Sequence, residues 1–184
     1  MPNWCQNILT ISGPVEDVDR FIESAKSPVD NTDLSFGRLM PIPDEQQDNW
    51  YNWCVENWGT KWDVDAVITD ETITVSDNIP YGTRKSVTYR FSSAWSPPFE
   101  LFSTLINGGY PDYDNLYVHL AYAESGMGFV GVAEGNVEGG FGDWCDECHD
   151  WKDWAYRAES LGFEGEIEAY REYVREHGDP ETVH

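Results

Sequence analysis

Apolar residues recur with two different periods along the first half of the chain, and these periods predict which segments form strands and which form helices. Residues 7–12 alternate as a strand, and Pro14 stands where the first position of a helix is expected. That helix carries its apolar stripe over 15–25, and a second helical stripe over 50–58 ends at Gly59, the expected C-terminal cap. Shorter alternating runs predict three further strands, over 64–68, 72–75 and 87–91.

The second half of the chain continues this succession of elements. Ser96 is the expected N-cap of a helix whose apolar positions lie within 99–106. Alternating runs over 116–122 and 129–132 are joined by a glycine-bearing turn, which predicts a hairpin. Beyond Gly139 the composition shifts, and the pattern predicts two helices, over 151–158 and 167–174.

The order of these elements predicts an α+β fold. Short connections between strands and helices favour a mainly antiparallel sheet with helices on one face, of the ferredoxin-like kind. The composition shift divides the chain into a core over residues 1–138 and an acidic helical extension over residues 139–184. At 184 residues, 40% of them hydrophobic, the chain has enough material for one well-packed domain with such an extension.

Hydropathy also bears on location. No stretch approaches the roughly 20 apolar residues that span a bilayer, and the first residues contain neither a basic region nor an apolar signal core. We therefore expect a cytoplasmic protein without a membrane partner.

The charge balance is extreme, with 34 acidic residues against 11 basic ones and a formal net charge of -23. Such a charge disfavours direct binding to nucleic-acid phosphates. Between Arg90 and Lys152 there is no lysine or arginine, so we expect one strongly electronegative face. Two explanations stay open. The face imitates a nucleic-acid backbone or meets a basic protein partner, or the acidity is an adaptation to high salt.

The four cysteines raise the question of a metal. In a chain without an export signal, reduced thiols are the default. Cys145 and Cys148 have the spacing of half a zinc site, and His149 follows them directly. Zinc would need two further ligands, and haem attachment would need an exported chain. We expect no cofactor, with zinc at Cys145, Cys148 and His149 as the less favoured alternative.

The candidate binding residues are aromatic and charged, and they cluster in short blocks. Lys61 and Asp63 flank a tryptophan, and Glu124 precedes the hairpin turn. If the blocks converge, they form an aromatic-lined pocket that could stack a base or a peptide side chain. The alternative is structural: the tryptophans form core, and the polar groups satisfy the backbone or pair with one another. The candidates are Asn57, Trp58, Lys61, Trp62, Asp63, Trp95 and Glu124.

Four blocks of sequence carry a family resemblance. They are Met1-Pro2-Asn3-Trp4-Cys5-Gln6-Asn7, Asn57-Trp58-Gly59-Thr60-Lys61-Trp62-Asp63, Ala94-Trp95-Ser96-Pro97-Pro98 and Ala123-Glu124-Ser125-Gly126. Over roughly residues 1–135 the chain resembles the YubB-like ferredoxin-like family of phage and plasmid proteins. The resemblance implies a mobile-element origin and a ferredoxin-like core, and it brings no catalytic residues. Ser93 departs from it, since a threonine is more usual there.

These observations favour a protein without catalytic activity. No Ser-His-Asp, phosphate-loop or His-Glu-x-x-His pattern is present. The leading hypothesis is an accessory protein of a virus or plasmid that binds a protein partner through an acidic surface, with counter-defence as one role. The alternatives are a virion component, and an enzyme or binding module for nucleotides or nucleic acid centred on Lys61, Asp63 and Glu124.

Overall fold

The computed structural model describes residues 3–75, 82–108, 113–148 and 150–177. Within these ranges the chain forms one six-stranded sheet and six α-helices, with a short 3₁₀ helix before the third α-helix. In chain order the elements are β1 (Trp4–Pro14), α1 (Val15–Ala25), α2 (Phe36–Leu39), the 3₁₀ helix (Asp44–Asn49), α3 (Trp50–Trp58), β2 (Val67–Thr74), β3 (Arg84–Ala94), α4 (Phe99–Asn107), β4 (Tyr117–Glu124), β5 (Phe129–Asn136), β6 (Gly140–Glu147), α5 (Trp151–Ser160) and α6 (Glu164–His177).

The sheet confirms the predicted α+β class and the antiparallel arrangement. Its strand order is β2-β3-β1-β4-β5-β6, and every neighbouring pair is antiparallel. This six-stranded order differs from that of a simple ferredoxin fold. β1 lies inside the sheet and pairs along its length with β3 and β4, so residues at its ends can meet several other segments.

The main core lies between one face of the sheet and helices α1 to α4. Leu9 and Ile11 of β1 point to this face and are fully buried with Leu120 of β4. The opposite residues of the same strands form a second core, in which Ala121 packs with Trp154 of α5. The prediction of helices on one face therefore holds for α1 to α4, whereas α5 and α6 cover the other face.

The segment predicted as a helical extension begins with a strand. β6 pairs with β5 over its whole length, from Gly140 opposite Asn136 to Glu147 opposite Phe129. Its sequence, GFGDWCDE, contains two glycines and no apolar alternation, so periodicity gave no signal for it. Backbone pairing with a formed edge explains why such a polar segment becomes extended.

Three predicted boundaries are corrected. Pro14 is the last residue of β1 and the N-cap of α1, so the helix begins one residue later. Ser96 does not cap α4, whose N-cap is Pro98, because its hydroxyl donates to the carbonyl of Gly59 instead. The strands expected over 64–68 and 72–75 are one strand, β2, which starts only at Val67.

Other expectations are confirmed. Helix α1 occupies the predicted 15–25, and α3 ends at Gly59, whose φ of 80° is left-handed as a C-terminal cap requires. The predicted hairpin is β4–β5, which pairs Glu124 with Phe129. Among the described residues, no helix is both long and apolar enough to cross a membrane.

Candidate binding surface: an aromatic platform around Lys61

The first three sequence blocks meet at one end of the sheet, where β1 begins and β3 ends. The backbone N–H of Trp95 donates to the carbonyl of Asn3 at 2.9 Å. The hydroxyl of Thr60, itself buried, donates to the carbonyl of Ala94 at 2.9 Å. Together with the Ser96–Gly59 bond, these contacts join the block after α3 to the blocks at β1 and β3. The condition set for a shared site, that the blocks converge, is therefore met by these three blocks.

The fourth block joins the same end through β4. In the sheet register Gln6 lies opposite Ala123, so the start of β1 runs beside the turn that follows β4. Asn3 packs there so closely that a side chain on Gly126 would lie 2.6 Å from its amide nitrogen. Only glycine fits at this position without moving Asn3.

A buried polar group fixes the start of β1 to the end of β3. The amide nitrogen of Asn7 donates to the carbonyl of Cys5 at 2.8 Å and to the hydroxyl of Ser93 at 2.9 Å. The Ser93 hydroxyl in turn donates to the carbonyl of Ser96 at 2.7 Å. Because buried polar groups that are fully hydrogen-bonded give a rigid and unique arrangement, this chain of bonds holds the turn after β3 in one position.

Lys61 projects from this frame onto three aromatic rings. Its ammonium nitrogen lies 4.3 Å from the ring centre of Trp62, 5.1 Å from that of Trp95 and 5.8 Å from that of Tyr51. The π face of each ring carries partial negative charge and attracts a cation at such distances. The three rings therefore hold the ammonium group in one place at the surface.

Further aromatic rings extend this surface on both sides. Trp4 lies 6.3 Å from Trp62, and Trp50 lies 6.0 Å from Tyr51. Trp4, Trp50 and Tyr51 leave 45%, 41% and 40% of their surface exposed. Large exposed apolar patches are uncommon on folded proteins and are typical of interaction surfaces, so this group is the candidate binding surface. We call this group the aromatic platform; it consists of Trp4, Trp50, Tyr51, Lys61, Trp62 and Trp95.

Trp95 has a strained backbone. Its φ is +71°, in the left-handed region, where a bulky residue is rarely found. Such a conformation costs on the order of 1–3 kcal/mol and persists only where the surroundings impose it. Here the surroundings are its own N–H bond to Asn3 and the Ser93–Ser96 bond across it. In this conformation the indole lies 5.1 Å from the Lys61 ammonium nitrogen and 6.3 Å from the Tyr51 ring.

Two of the predicted candidates are structural. Trp58 is 3% exposed, its ring packs against Phe36 at 5.8 Å, and its indole N–H donates to the carbonyl of Met40 at 3.0 Å. Asn57 donates to the carbonyl of Trp53 at 2.8 Å, within its own helix. Both side chains therefore stabilise α3 and its packing on the core.

Asp63 is also engaged by the protein itself. One carboxylate oxygen accepts from the backbone N–H of Phe36 at 2.6 Å, and the other accepts from the Ser35 hydroxyl at 2.7 Å and from Gly37 at 3.0 Å. The oxygen that accepts from Phe36 also accepts from the backbone N–H of Val64 at 2.8 Å. The carboxylate thus caps the start of α2, where an anion is favoured by the exposed N–H groups.

Glu124 has a comparable role at the turn between β4 and β5. It is 2% exposed, and its carboxylate accepts from the backbone N–H groups of Gly126, at 2.8 Å, and Met127. The buried charge is thereby hydrogen-bonded, as burial requires. Of the three residues proposed for a nucleotide or catalytic site, only Lys61 keeps its polar group directed at the surface rings.

The cysteine pair lies at the end of β6: Cys145 is in the strand, and Cys148 follows it and donates its backbone N–H to the carbonyl of Gly128 at 2.7 Å. Cys145 is exposed and Cys148 is half-buried. Burial raises the pKa of the Cys148 thiol to about 11, with the charge of Asp153 adding to the effect, so the thiol is protonated at neutral pH. Among the described residues, no three histidine, cysteine or carboxylate side chains group as metal ligands do. His149 lies outside the described residues.

Sequence reasoning missed three platform residues, Trp4, Trp50 and Tyr51. A signal for Trp4 existed: Cys5, Leu9 and Ile11 take the buried face of β1, so Trp4 must point the other way. Tyr51 is adjacent to the apolar stripe of α3 and breaks no pattern. Only the three-dimensional contact with Lys61 reveals its part in the site.

The fold and the site define a mixed α+β protein that presents a rigid aromatic surface around one lysine. The chain matches none of the protein-family models, curated proteins or solved structures with which it was compared. The resemblance to the YubB-like family therefore stays a prediction.

Proposed function

We propose that this protein is a non-enzymatic binding protein whose partner is another protein, and that the aromatic platform is the contact surface. The observation that carries the proposal is the left-handed backbone of Trp95. Strain of this kind concentrates at functional sites, because the fold would otherwise relax to avoid it. The strained residue is half-buried, and its ring lies beside the exposed ring of Tyr51 and the ammonium group of Lys61.

The composition of the platform supports a protein partner. Tryptophan and tyrosine dominate the binding energy of protein interfaces, since they bury large areas and lose little conformational freedom. The engagement of Asp63 and Glu124 with backbone N–H groups speaks against the alternative of an enzyme that uses Lys61, Asp63 and Glu124 together. Neither carboxylate is available as a general base while it caps a helix or a turn.

The wider proposal concerns origin and charge. Along the chain, α1 lies between β1 and β2, and α4 lies between β3 and β4. In the sheet, β3 separates β1 from β2, and β1 separates β3 from β4. This is the arrangement of the split βαβ units of a ferredoxin-like core. This supports a ferredoxin-like core to which β5 and β6 are added, and with it the resemblance to phage and plasmid proteins. An accessory role in a mobile element, including counter-defence, is consistent with a chain of net charge -23, which favours a partner that is basic outside its contact with the aromatic platform.

The experiment is affinity capture with matched surface variants. The protein, the double variant Trp50→Ala/Tyr51→Ala and the control Tyr156→Ala are immobilised and exposed to a lysate of the source cells at physiological salt. Tyr156 lies on α5 and is 76% exposed, so its removal deletes a comparable exposed ring outside the platform. Proteins retained by the wild type and the control, but lost with the double variant, are the expected result.

Two outcomes would contradict the proposal. One is that the double variant, shown to be folded by circular dichroism, retains the same proteins as the wild type. The other is that the wild type retains nothing in excess of the double variant. In the second case the acidity would be better explained as an adaptation to high salt, and the exposed rings would need another cause.

A further inference from the structure

Among the described residues, Lys61 is the cationic residue whose charged group lies over aromatic rings. Lys85 provides a contrast, since its ammonium group contacts Asp19 at 2.6 Å and Glu71 at 2.7 Å. Lys61 forms neither an ion pair nor a hydrogen bond with any group among residues 3–75, 82–108, 113–148 and 150–177. Its contacts there are the three rings, so its N–H donors have no acceptor in the described part of the chain.

This isolation is built into the local structure. Asp63 is two residues away and would be the simplest partner, but its carboxylate accepts four hydrogen bonds from the segment that begins α2 and from Val64. The hydroxyl of Thr60 is likewise turned inward to Ala94. The groups beside Lys61 in the sequence are therefore committed elsewhere, and the ammonium group is held by rings that cannot neutralise it.

We propose that the aromatic platform recognises a carboxylate of its protein partner, an aspartate or glutamate side chain flanked by apolar residues. The carboxylate forms an ion pair with Lys61, and the apolar residues cover Trp4, Trp50 and Tyr51. This inference rests on the proposed function and names the chemistry of the same site. Charge complementarity is the argument: in a chain with 34 acidic residues, the platform presents a cation that no described carboxylate neutralises.

The physical setting makes such an ion pair effective. An ammonium group already immobilised by three rings loses little freedom on binding, which lowers the entropic cost of the contact. Apolar side chains around the pair exclude water, and hydrogen bonds to charged groups are then among the stronger ones. At 0.15 M salt the Debye length is about 8 Å, so the acidic surface beyond the platform repels an acidic segment only weakly.

The net charge of the chain and the single cation of the aromatic platform favour a protein segment over a nucleic acid as the partner. Nucleic acids present a phosphate at every nucleotide, and binding them uses several cations along a groove. The platform offers one cation within a chain of net charge -23. A single carboxylate among apolar residues matches that arrangement, whereas a run of phosphates does not.

The test is selection from a displayed random-peptide library, carried out in parallel on the wild type, Lys61→Met, Lys61→Arg and the double variant Trp50→Ala/Tyr51→Ala. We expect peptides selected on the wild type to contain aspartate or glutamate beside leucine, isoleucine or aromatic residues. A synthetic peptide from this pool and its analogue with amide in place of carboxylate are then compared by calorimetry. The analogue should bind the wild type about tenfold more weakly.

The variants complete a double-mutant cycle. Peptide and analogue should bind Lys61→Met with equal affinity, and Lys61→Arg should restore the preference for the carboxylate because arginine also stacks on rings and pairs with carboxylates. Each variant is checked by circular dichroism before use; Lys61 is only half-buried, so folding of at least the arginine variant is expected.

Several results would overturn the inference. Selected peptides that are basic, or an analogue that binds the wild type as well as its parent, would remove the carboxylate while leaving the platform as a binding surface. A single-stranded oligothymidylate that binds in a Lys61-dependent way would replace the carboxylate by phosphate. If the wild type selects no peptide in excess of the double variant, both the inference and the proposed function fail.

Discussion

Substitution of Gly59 by alanine tests whether the end of α3 lies tightly against the start of α4. Gly59 has a φ of 80°, and a methyl group built on it would lie 3.2 Å from the backbone nitrogens of Phe99 and Glu100 and from the carbonyl oxygen of Pro97. These are backbone atoms of the α4 N-terminus, which cannot rotate away as a flexible side chain can. The substitution therefore combines a conformational penalty with a steric one.

The two penalties can be estimated separately. An alanine in the left-handed region costs roughly 1–2 kcal/mol relative to glycine. Forcing one methyl group into a packed contact adds about 1–3 kcal/mol, because the helix must shift. We expect Gly59→Ala to lower the free energy of unfolding by about 2–4 kcal/mol, a large fraction of the 5–15 kcal/mol that holds a typical domain.

Gly82 provides the matched control. Its φ of 70° is close to that of Gly59, but nothing lies within 4 Å of an added methyl group. Gly82→Ala should show the conformational penalty alone, and the difference between the two variants isolates the steric contact with α4. Gly59→Asn adds a second check, since asparagine tolerates the left-handed region but still carries the offending carbon.

The assay is urea unfolding followed by far-ultraviolet circular dichroism, because the nine tryptophans complicate a fluorescence signal. Unfolding free energies are compared only where the slope with urea is unchanged. Equal losses at Gly59 and Gly82, within about 0.5 kcal/mol, would refute the close approach of α3 to α4. A normal stability of Gly59→Asn would refute it as well.

Three further predictions concern other parts of the molecule. Lys85→Met should cost up to about 1 kcal/mol at neutral pH, since it leaves the half-exposed carboxylates of Asp19 and Glu71 without their cation. Hydrogen bonds from Lys85, first of all to Asp19, raise its pKa. The stabilisation is therefore complete at pH values below the pKa of Lys85 in the unfolded chain, and it is lost as pH rises through the pKa in the folded protein. Urea unfolding at a series of pH values would contradict this if wild type and variant were already equally stable near neutral pH. Tyr89→Phe should leave stability unchanged or higher by up to about 1 kcal/mol, because the buried hydroxyl has no hydrogen-bond partner among the described residues; a clear loss in urea unfolding would refute this. Purified protein should carry less than one equivalent of zinc by elemental analysis, and changing Cys145 and Cys148 to serine should leave the fold intact by circular dichroism; stoichiometric zinc would overturn this.

Much of the fold was predictable because its elements carry their own periodicity. Helix α1 and the β4–β5 hairpin repeat apolar residues at the spacing of their structure, and both lie where expected. β6 was not predictable, since its extended form depends on pairing with β5, and the hydropathy pattern of its own residues does not indicate that pairing. The position of α5 likewise depends on tertiary packing, since it covers the second face of β4, where Ala121 and Ala123 are buried in one cluster with Trp154.

The candidate site was predictable in its residue types and less so in their roles. Two tryptophans of one block, Trp58 and Trp62, are four residues apart, yet one is core and the other lies on the platform. The difference arises at Gly59, where the chain leaves the helix and turns outward. The opposite charges of Lys61 and Asp63 indicate an ion pair between them, but the Asp63 carboxylate instead accepts from backbone N–H groups at the start of α2.

The polar residues of these blocks fix the turns that carry the aromatic ones. Asn7, Thr60 and Ser93 are buried, and their hydrogen bonds end mainly on backbone carbonyls, so they define where the turns lie without reaching the surface. The rings of Trp62 and Trp95 are carried by those same turns. The substitution Thr60→Val would change no side chain of the aromatic platform, but it would remove the hydrogen bond to Ala94 that positions the turn carrying Trp62. Buried residues outside the aromatic platform can therefore determine its shape, which explains why polar and aromatic residues occur together in these blocks.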